Sequence, residues 1–470
     1  MSWDVIVVGG GIAGLAAARE LQQAGRSVLV LESSPRVGGK LRRERVAGHL
    51  VDVGAEAMLN RRPEGVDLAA AVGLEVEHPA LARSRVWTRG ALRPLPRSLM
   101  GVPQDVEALR ESGILTAEEL AQVLAEPSLP PYELPESGDV TVGEMVDARF
   151  GAAVTDRLVE PLLGGVYAGH AREISARVAA PQLLRLAAQG SLLEAGRASA
   201  DTTASTYQAP VFAGVPGGMG LLPERLAEQL TVRTDATVRG LERHPDGAGW
   251  RVLVGPTTDA TWLEAGAVVL ATPTAPAARL LADVAPAAAA RLAAMEAASV
   301  AVVTFAFRTE DVAALDAMGS SGFLVPPVDG RSIKASTWSF AKWDWVRRAG
   351  AADGLAFLRT SLGRHREEAV LQRPDADLVA LSLEDLRAAV GTALAPDVEP
   401  VDTHVQRWGA GLPQYGLGHT EAVAEVRVDV AGQPGLAVCG AAYDGVGIPA
   451  VIGSAQRAAR EVLATVPVTV

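Results

Sequence analysis

A chain of 470 residues is long enough for a large core and more than one domain. Its 49% hydrophobic and 21% charged composition is that of a globular protein, and a net charge of −12 argues against a nucleic-acid partner held by phosphate neutralisation. Cys439 is the only cysteine, which excludes an internal disulfide, a Cys-rich zinc site or an iron–sulfur cluster and fits a reducing, cytoplasmic compartment.

The N-terminus enters a strand directly, so no signal peptide is expected. Asp4 to Val8 is a short apolar, β-branched run of the kind buried on both faces of a parallel sheet. It meets Gly9-Gly10-Gly11-Ile12-Ala13-Gly14, in which Gly9, Gly11 and Gly14 fill the G-x-G-x-x-G frame. A helix over Leu15–Ala24 follows, stopped by Gly25, and a second strand ends at Glu32, eighteen residues after Gly14. In such a unit the first glycine permits a tight turn, the second lets a pyrophosphate approach, and the third allows close helix–strand packing. Free N–H groups at the helix start face the anion. Glu32, with Ser33 beside it, is placed to accept hydrogen bonds from ribose hydroxyls. Arg36, Gly38, Gly39 and Lys40 then supply a second glycine pair and two cations. A nicotinamide site does not need that loop, whereas an FAD site does.

Leu50 to Glu56 alternates like a strand and ends in the small-residue turn Gly54-Ala55-Glu56, where an FAD-binding chain returns past the flavin. Val66–Val72 reads as a helix capped by Gly73, and Arg61 and Arg62 read first as solvated cations, with an anionic ligand group as the alternative for either. From Trp87 to Glu136, prolines bracket short helices such as Asp105–Ser112 and Thr116–Leu124, the latter opened by a Thr116/Glu119 capping box. Val140–Gly151 and Thr155–Leu163 are also helical. This block reads as a helical insertion, equally a lid or a structural insert. Glycines 214, 217, 218 and 220 lead to a helix at Leu222–Leu230. Strands at Thr237–Arg239, Trp250–Val254 and Ala267–Ala271 then rejoin the nucleotide-binding sheet, bringing Val238 and Thr272 toward the cofactor. Ser299–Phe307 opens a second strand-rich region whose Trp338, Trp343 and Trp345 are expected in the core. Leu436–Cys439 is a last buried strand, followed by Gly440, the turn Tyr443-Asp444-Gly445-Val446-Gly447-Ile448-Pro449 and a helix to Leu463. The start of that helix is a second anion-favouring end, suited to the pyrimidine edge of a flavin. The seven histidines show no metal-ligand spacing, so no metal is expected, and Cys439 is expected buried and inert. No window is apolar enough for a transmembrane span.

With these marks the chain resembles the flavin-dependent amine-oxidase-like superfamily and, more narrowly, the porphyrinogen oxidases. The general marks are Gly9-x-Gly11-x-x-Gly14, Glu32 and Arg36-x-Gly38-Gly39-Lys40. The narrower ones are Glu160 to Gly169 (EPLLGGVYAG) and Tyr443 to Pro449 (YDGVGIP). Leu412 to His419 (LPQYGLGH), and Met100 where plant and animal protoporphyrinogen oxidases carry an arginine, resemble the type of Gram-positive bacteria. The resemblance implies an α/β fold: a Rossmann-like FAD-binding domain (1–60, 210–273 and 432–470), a mixed-sheet substrate domain (61–85, 182–209 and 274–431) and an α-helical insertion over the cleft (86–181).

It implies non-covalent FAD held by Gly9, Gly11, Ile12, Ala13, Gly14, Glu32, Ser33, Arg36, Gly38, Gly39, Lys40, Gly54, Ala55, Glu56, Val238, Thr272, Gly440, Tyr443, Val446, Gly447 and Ile448. Gly165, Tyr167 and Gly169 would lie against the substrate, coproporphyrinogen III, with protoporphyrinogen IX as the alternative. Three two-electron oxidations would hand electrons through the flavin to molecular oxygen, with no amino acid singled out as an essential base. A haem-pathway partner such as ferrochelatase and peripheral membrane contact stay open. An amine oxidase or a non-catalytic dissociation-inhibitor-like protein would share the scaffold.

Overall fold

The structure is a computed structural model that describes residues 3–80, 83–198 and 210–465. Trp3–Val8 sits at the centre of a seven-stranded sheet. It pairs parallel with Val28–Leu31 on one side and with the end of the long strand Thr261–Leu270 on the other. Thr231–Arg233 lies outside Val28–Leu31. Thr261–Leu270 has two functions. Its first half pairs antiparallel with Trp250–Val254, and its last three residues pair parallel with Leu436–Val438. This strand therefore joins a meander (Val238–Arg243, Trp250–Val254) to the parallel core. The helix Ile12–Gln23 packs against the C-terminal helix Ile448–Thr465 through small residues, Ala16 and Ala17 among them from one and Ala455, Ala458 and Ala459 from the other. Short side chains allow the close approach, and the two ends of the chain meet there.

A second seven-stranded, mainly antiparallel sheet runs in the order Asp402–Pro413, Ala297–Arg308, Leu355–Leu362, Ile333–Thr337, Gly322–Leu324, Arg85–Thr88, Ala91–Pro94. Helix Asp375–Val390 covers one face, and Trp338 is buried in the core between them. Trp343 and Trp345 are buried in a smaller cluster with Phe357 and Val51, which ties this sheet to the first unit.

A third core is helical. It gathers Val106, Leu109, Leu120, Met145, Phe150, Leu158 and Leu163, and it continues through Leu183, Leu184, Ala187, Leu192 and Leu193. Asp105 caps Val106–Ser112, and the Thr116/Glu119 capping box forms at Ala117–Ala125. Two boundaries differ from the sequence expectation. The hairpin Arg85–Thr88/Ala91–Pro94 belongs to the second sheet's edge rather than to the helical segment, because its alternating side chains serve both units. Val86 enters the helical core, and Trp87 enters the sheet core. The helical core also extends past residue 181, since Pro181–Gln189 turns Leu183, Leu184 and Ala187 inward. The expected 199–209 part of the substrate domain lies outside the described residues. Thr155–Val159 is a π-helical turn leading into the α-helix Glu160–Tyr167. Pro161 has no N–H and its ring would crowd the carbonyl four residues back, and the wider turn relieves that clash.

Candidate active site

The glycine loop folds as its spacing demands. Gly9 has φ +112°, and a Cβ there would come 2.6 Å from the Ala271 carbonyl oxygen, so only glycine closes the turn. At Gly14 a Cβ would lie 1.9 Å from the Gly9 oxygen, which makes it the close-packing glycine. Gly11 differs: a Cβ there meets nothing within 4 Å. Helix Ile12–Gln23 starts at Gly11 with no side-chain cap and no acid in its first turn, leaving its N–H groups and dipole facing this open space. Ile12 and Ala13 are buried beneath it.

The second loop lies directly on the first. Gly38 N–H donates to the Gly10 oxygen at 2.8 Å, and Gly39, at φ +56°, stands close to the Gly11 Cα. Lys40 is half-buried and has no hydrogen-bond or ion-pair partner among the described residues, and its burial lowers its pKa. An enclosed ammonium without a partner is costly, so it suits an anionic ligand group. Glu32 accepts from Gly10 N–H at 2.7 Å through Oε2 and from Ser34 N–H at 2.8 Å through Oε1. Oε1 also accepts a longer bond from the hydroxyl of the exposed Ser33 at 3.4 Å, and Oε2 keeps a lone pair for a further donor. Ala236 N–H binds the Glu32 carbonyl at 2.8 Å, which brings the start of the Val238 strand to the same end. Thr272 follows the Ala271 carbonyl that faces Gly9, and its Oγ1 is buried without a partner.

The C-terminal turn presents the same character. Gly440 (φ +131°) and Gly447 have no atom within 4 Å of an added Cβ. Ile448 opens the eighteen-residue helix with no acid in its first turn, and Val446 packs toward the helical core. Tyr443 is buried, its hydroxyl lacks a partner, and burial raises its pKa. Cys439, directly after the strand Leu436–Val438, is fully buried and its thiol is pushed up to about 12, an inert group at neutral pH.

Two of the residues expected at the cofactor also have charged protein partners. Arg36 pairs with Glu44, which also binds Arg42. Glu56, 7% exposed, forms a buried cluster with Lys342 (2.7 Å), Arg359 (3.2 Å) and Ser339 Oγ (3.1 Å). Burial alone would raise the Glu56 carboxyl, but Arg359 and Lys342 outweigh it and bring it down to about 2. Arg359 also donates to the Gly54 oxygen at 2.6 Å. Gly54 is the close-approach residue of that turn, with an added Cβ 2.0 Å from the Lys40 oxygen, and Ala55 N–H binds the same carbonyl at 3.0 Å. The Lys342–Glu56–Arg359 cluster thus fixes the turn behind the second glycine loop. The sequence signals for it were one arginine in an otherwise uncharged strand, Leu355–Leu362, and the Lys342-Trp343 pair.

On the substrate side the three residues separate. Gly165 is exposed on helix Glu160–Tyr167, beside Val166 at 46% exposure, and an added Cβ would reach Leu324 Cδ2 at 3.8 Å. Tyr167 is buried, edge-on to Tyr415 at 5.5 Å between ring centroids. Gly169 is packed on Gln414, whose Oε1 would lie 2.0 Å from a Cβ. The Gln414–His419 stretch lines a separate surface cleft of about 340 Å³ with Glu173, Arg291, Glu296 and Arg366. Its charges are mutually paired, Arg366 with Glu173 and Glu296 and Arg291 with Glu425. No group of three or more His, Cys, Asp or Glu suited to a metal occurs among the described residues, and no described helix is long and apolar enough to cross a membrane.

A parallel sheet with two uncapped helix ends, two glycine loops and an unpartnered lysine defines a dinucleotide-cofactor oxidoreductase fold. Residues 12–463 match the model of the flavin containing amine oxidoreductase family, and the chain belongs to that family and uses a flavin. A coproporphyrinogen III oxidase of Mycobacterium tuberculosis is 36% identical over 97% of this chain and 96% of its own length. Human protoporphyrinogen oxidase is 31% identical over 99% of this chain and all of its own. Among solved structures, a putative protoporphyrinogen oxidase from Exiguobacterium sp. 255-15 superposes with a TM-score of 0.84 at 28% identity, covering 98% of this chain and 99% of that one.

Proposed function

We propose that the chain is an oxygen-dependent oxidase with non-covalently bound FAD that converts coproporphyrinogen III to coproporphyrin III. The observation that carries this reading is the pairing of open cradles at Gly11 and Gly447 with an exposed Gly165 facing Leu324, in a chain 36% identical to a named coproporphyrinogen III oxidase.

When bound, the flavin supplies the two-electron oxidations, three of which account for the six electrons separating the porphyrinogen from the porphyrin. The protein's part is to bind, orient and exclude. The Gly11 N–H environment and Lys40 receive the pyrophosphate, and Glu32 receives the ribose. The start of helix Ile448–Thr465 offers donors and a positive dipole end to the edge of the ring that gains negative charge. Gly165 keeps the opposite wall flat, since a side chain there would fill the space before Leu324. The buried groups that border these walls, Tyr167, Tyr415 and Tyr443, have pKa values raised first of all by desolvation and stay protonated at neutral pH. They are apolar walls rather than bases.

The test is direct. Purified protein should be yellow and should release its flavin on denaturation. It should form coproporphyrin, with stoichiometric peroxide, faster than it forms protoporphyrin. A clear preference for protoporphyrinogen IX would transfer the assignment to that substrate, and a colourless protein would end it.

A further inference from the structure

Burying a cation without an acid is unfavourable, and one cluster of this kind lies beside the Gly165 wall. Lys334 sits on the strand Ile333–Thr337 at a register irregularity between Ile333 and Ala335, and is 5% exposed. Its Nζ reaches only two carbonyls, Gly363 at 3.1 Å and Leu362 at 3.5 Å. Arg364, 6% exposed, donates from NH2 to the Val325 carbonyl at 3.0 Å. Neither has a carboxylate within ion-pair distance among the described residues. Carbonyl oxygens carry no net charge, so Lys334 has no counter-charge, and Arg364 is offset only by the carboxylates of Glu367 and Glu160 beyond ion-pair distance.

The position of the pair is defined by Val325, whose N–H binds the Lys334 carbonyl at 2.9 Å while its own carbonyl receives Arg364. The preceding residue, Leu324, is the one that faces Gly165. The helix that carries Gly165 packs on the strand that carries Lys334. At the start of that helix Glu160 binds Ala171 N–H with one oxygen and leaves Oε2 buried without a partner. Burial raises the Glu160 carboxyl, so it is a weak counter-ion for its neighbours. Burial, with Arg364 adding to it, lowers Lys334 to about 7, and a bound anion would restore its charge.

We propose that Lys334 and Arg364 form the receptor for one carboxylate of the substrate, beside the wall where Gly165 faces Leu324. This rests on the porphyrinogen reading and extends it to specificity. A tetrapyrrole with four propionates presents a carboxylate where one with two propionates and two vinyl groups presents a neutral edge. A buried ammonium–guanidinium pair favours the former and is left uncompensated by the latter.

The experiment compares wild type, Lys334→Met and Arg364→Gln as holoproteins, recording the flavin spectrum, the melting temperature, the dissociation constant for coproporphyrin III by fluorescence quenching, and KM for both porphyrinogens. Lys334→Met should keep the flavin and melt no lower than wild type, because it removes an unpaired buried charge. It should bind coproporphyrin about tenfold more weakly and raise KM for coproporphyrinogen while leaving KM for protoporphyrinogen within about twofold. Arg364→Gln should act in the same direction. An unchanged coproporphyrin affinity, or equal effects on both substrates, overturns the assignment while the function stands. Wild type that binds and oxidises neither tetrapyrrole overturns the function and this assignment with it.

Discussion

Replacing Glu56 by glutamine tests the electrostatics behind the cradle. The carboxylate is buried and held by Lys342 and Arg359, and its pKa falls from the usual 4.5 to about 2. A drop of that size corresponds to roughly 3 kcal/mol of folding stability at neutral pH. Because the folded-state value lies below the unfolded one, this contribution is complete above pH 4.5 and is lost as the pH falls toward 2. Glu56→Gln keeps the shape but leaves two buried cations facing a neutral amide, so the variant should be about 3 kcal/mol less stable at pH 7. Linkage gives the pH signature: between pH 7 and pH 3 the wild type should lose about 2 kcal/mol more than the variant from this group alone. Urea unfolding of the flavin-loaded protein, followed by tryptophan fluorescence at both pH values, measures each quantity. Equal stability at pH 7, or a difference that stays constant down to pH 3, would refute the idea that this ion cluster holds the turn.

Four other substitutions probe separate parts of the site. Gly11→Val should fold, because its side chain meets no protein atom, yet bind FAD more than about 100-fold more weakly in reconstitution of the flavin-free protein. Lys40→Met should weaken FAD about 10- to 100-fold for the loss of one charge-assisted contact, also read by reconstitution. Gly165→Arg should stay yellow with an unchanged melting temperature and lose turnover, since the wall it fills is open. Asp52 is buried, accepts from Met219 and Gly220 N–H, and burial raises it from 3.8 to about 7 against those bonds. Its contribution is therefore full below pH 3.8, falls as the pH rises from there to 7 and is constant above it, so Asp52→Asn should remove a decline in stability between about pH 4 and pH 7 in a pH–melting profile.

The cradle was legible in the sequence because its determinants are local. Gly9, Gly11 and Gly14 do different jobs within six residues, and the backbone angles and contacts follow from their spacing alone. The same holds for the capping box at Thr116 and for the buried Leu436–Val438 strand. What was not legible joins distant segments. Arg36 is paired with Glu44 on the next strand, a partner that the glycine loop's own sequence does not show. Glu56 looked like a cofactor ligand because it ends the right turn, but its partners come from positions 342 and 359. Such pairings depend on how the second sheet docks on the first, which no short window records. The hairpin at Arg85–Thr88 was missed for the same reason: residues from 86 on were expected in the helical insertion, whereas its alternating side chains feed two cores.

The unpaired cations separate ligand sites from scaffold in this protein. Carboxylates outnumber lysines and arginines 55 to 43 in the chain, so a shortage of acids does not leave a cation alone. Arg36, Arg43, Lys342 and Arg359 each have a glutamate. Lys40, Lys334 and Arg364 are enclosed yet have none among the described residues. Desolvation acts against each, and no ion pair repays it in the free protein: Lys334 and Arg364 have only carbonyl hydrogen bonds and, for Arg364, the carboxylates of Glu367 and Glu160 beyond ion-pair distance. Their placement divides them: Lys40 belongs to the stacked glycine loops, and Lys334 and Arg364 to the far end of the Gly165 wall. On the proposed function, one set would meet a pyrophosphate that stays bound, the other a carboxylate that arrives and leaves with each turnover. The stability withheld at these two places becomes binding energy only when the matching anion is present, which is why both should discriminate by charge rather than by fit alone.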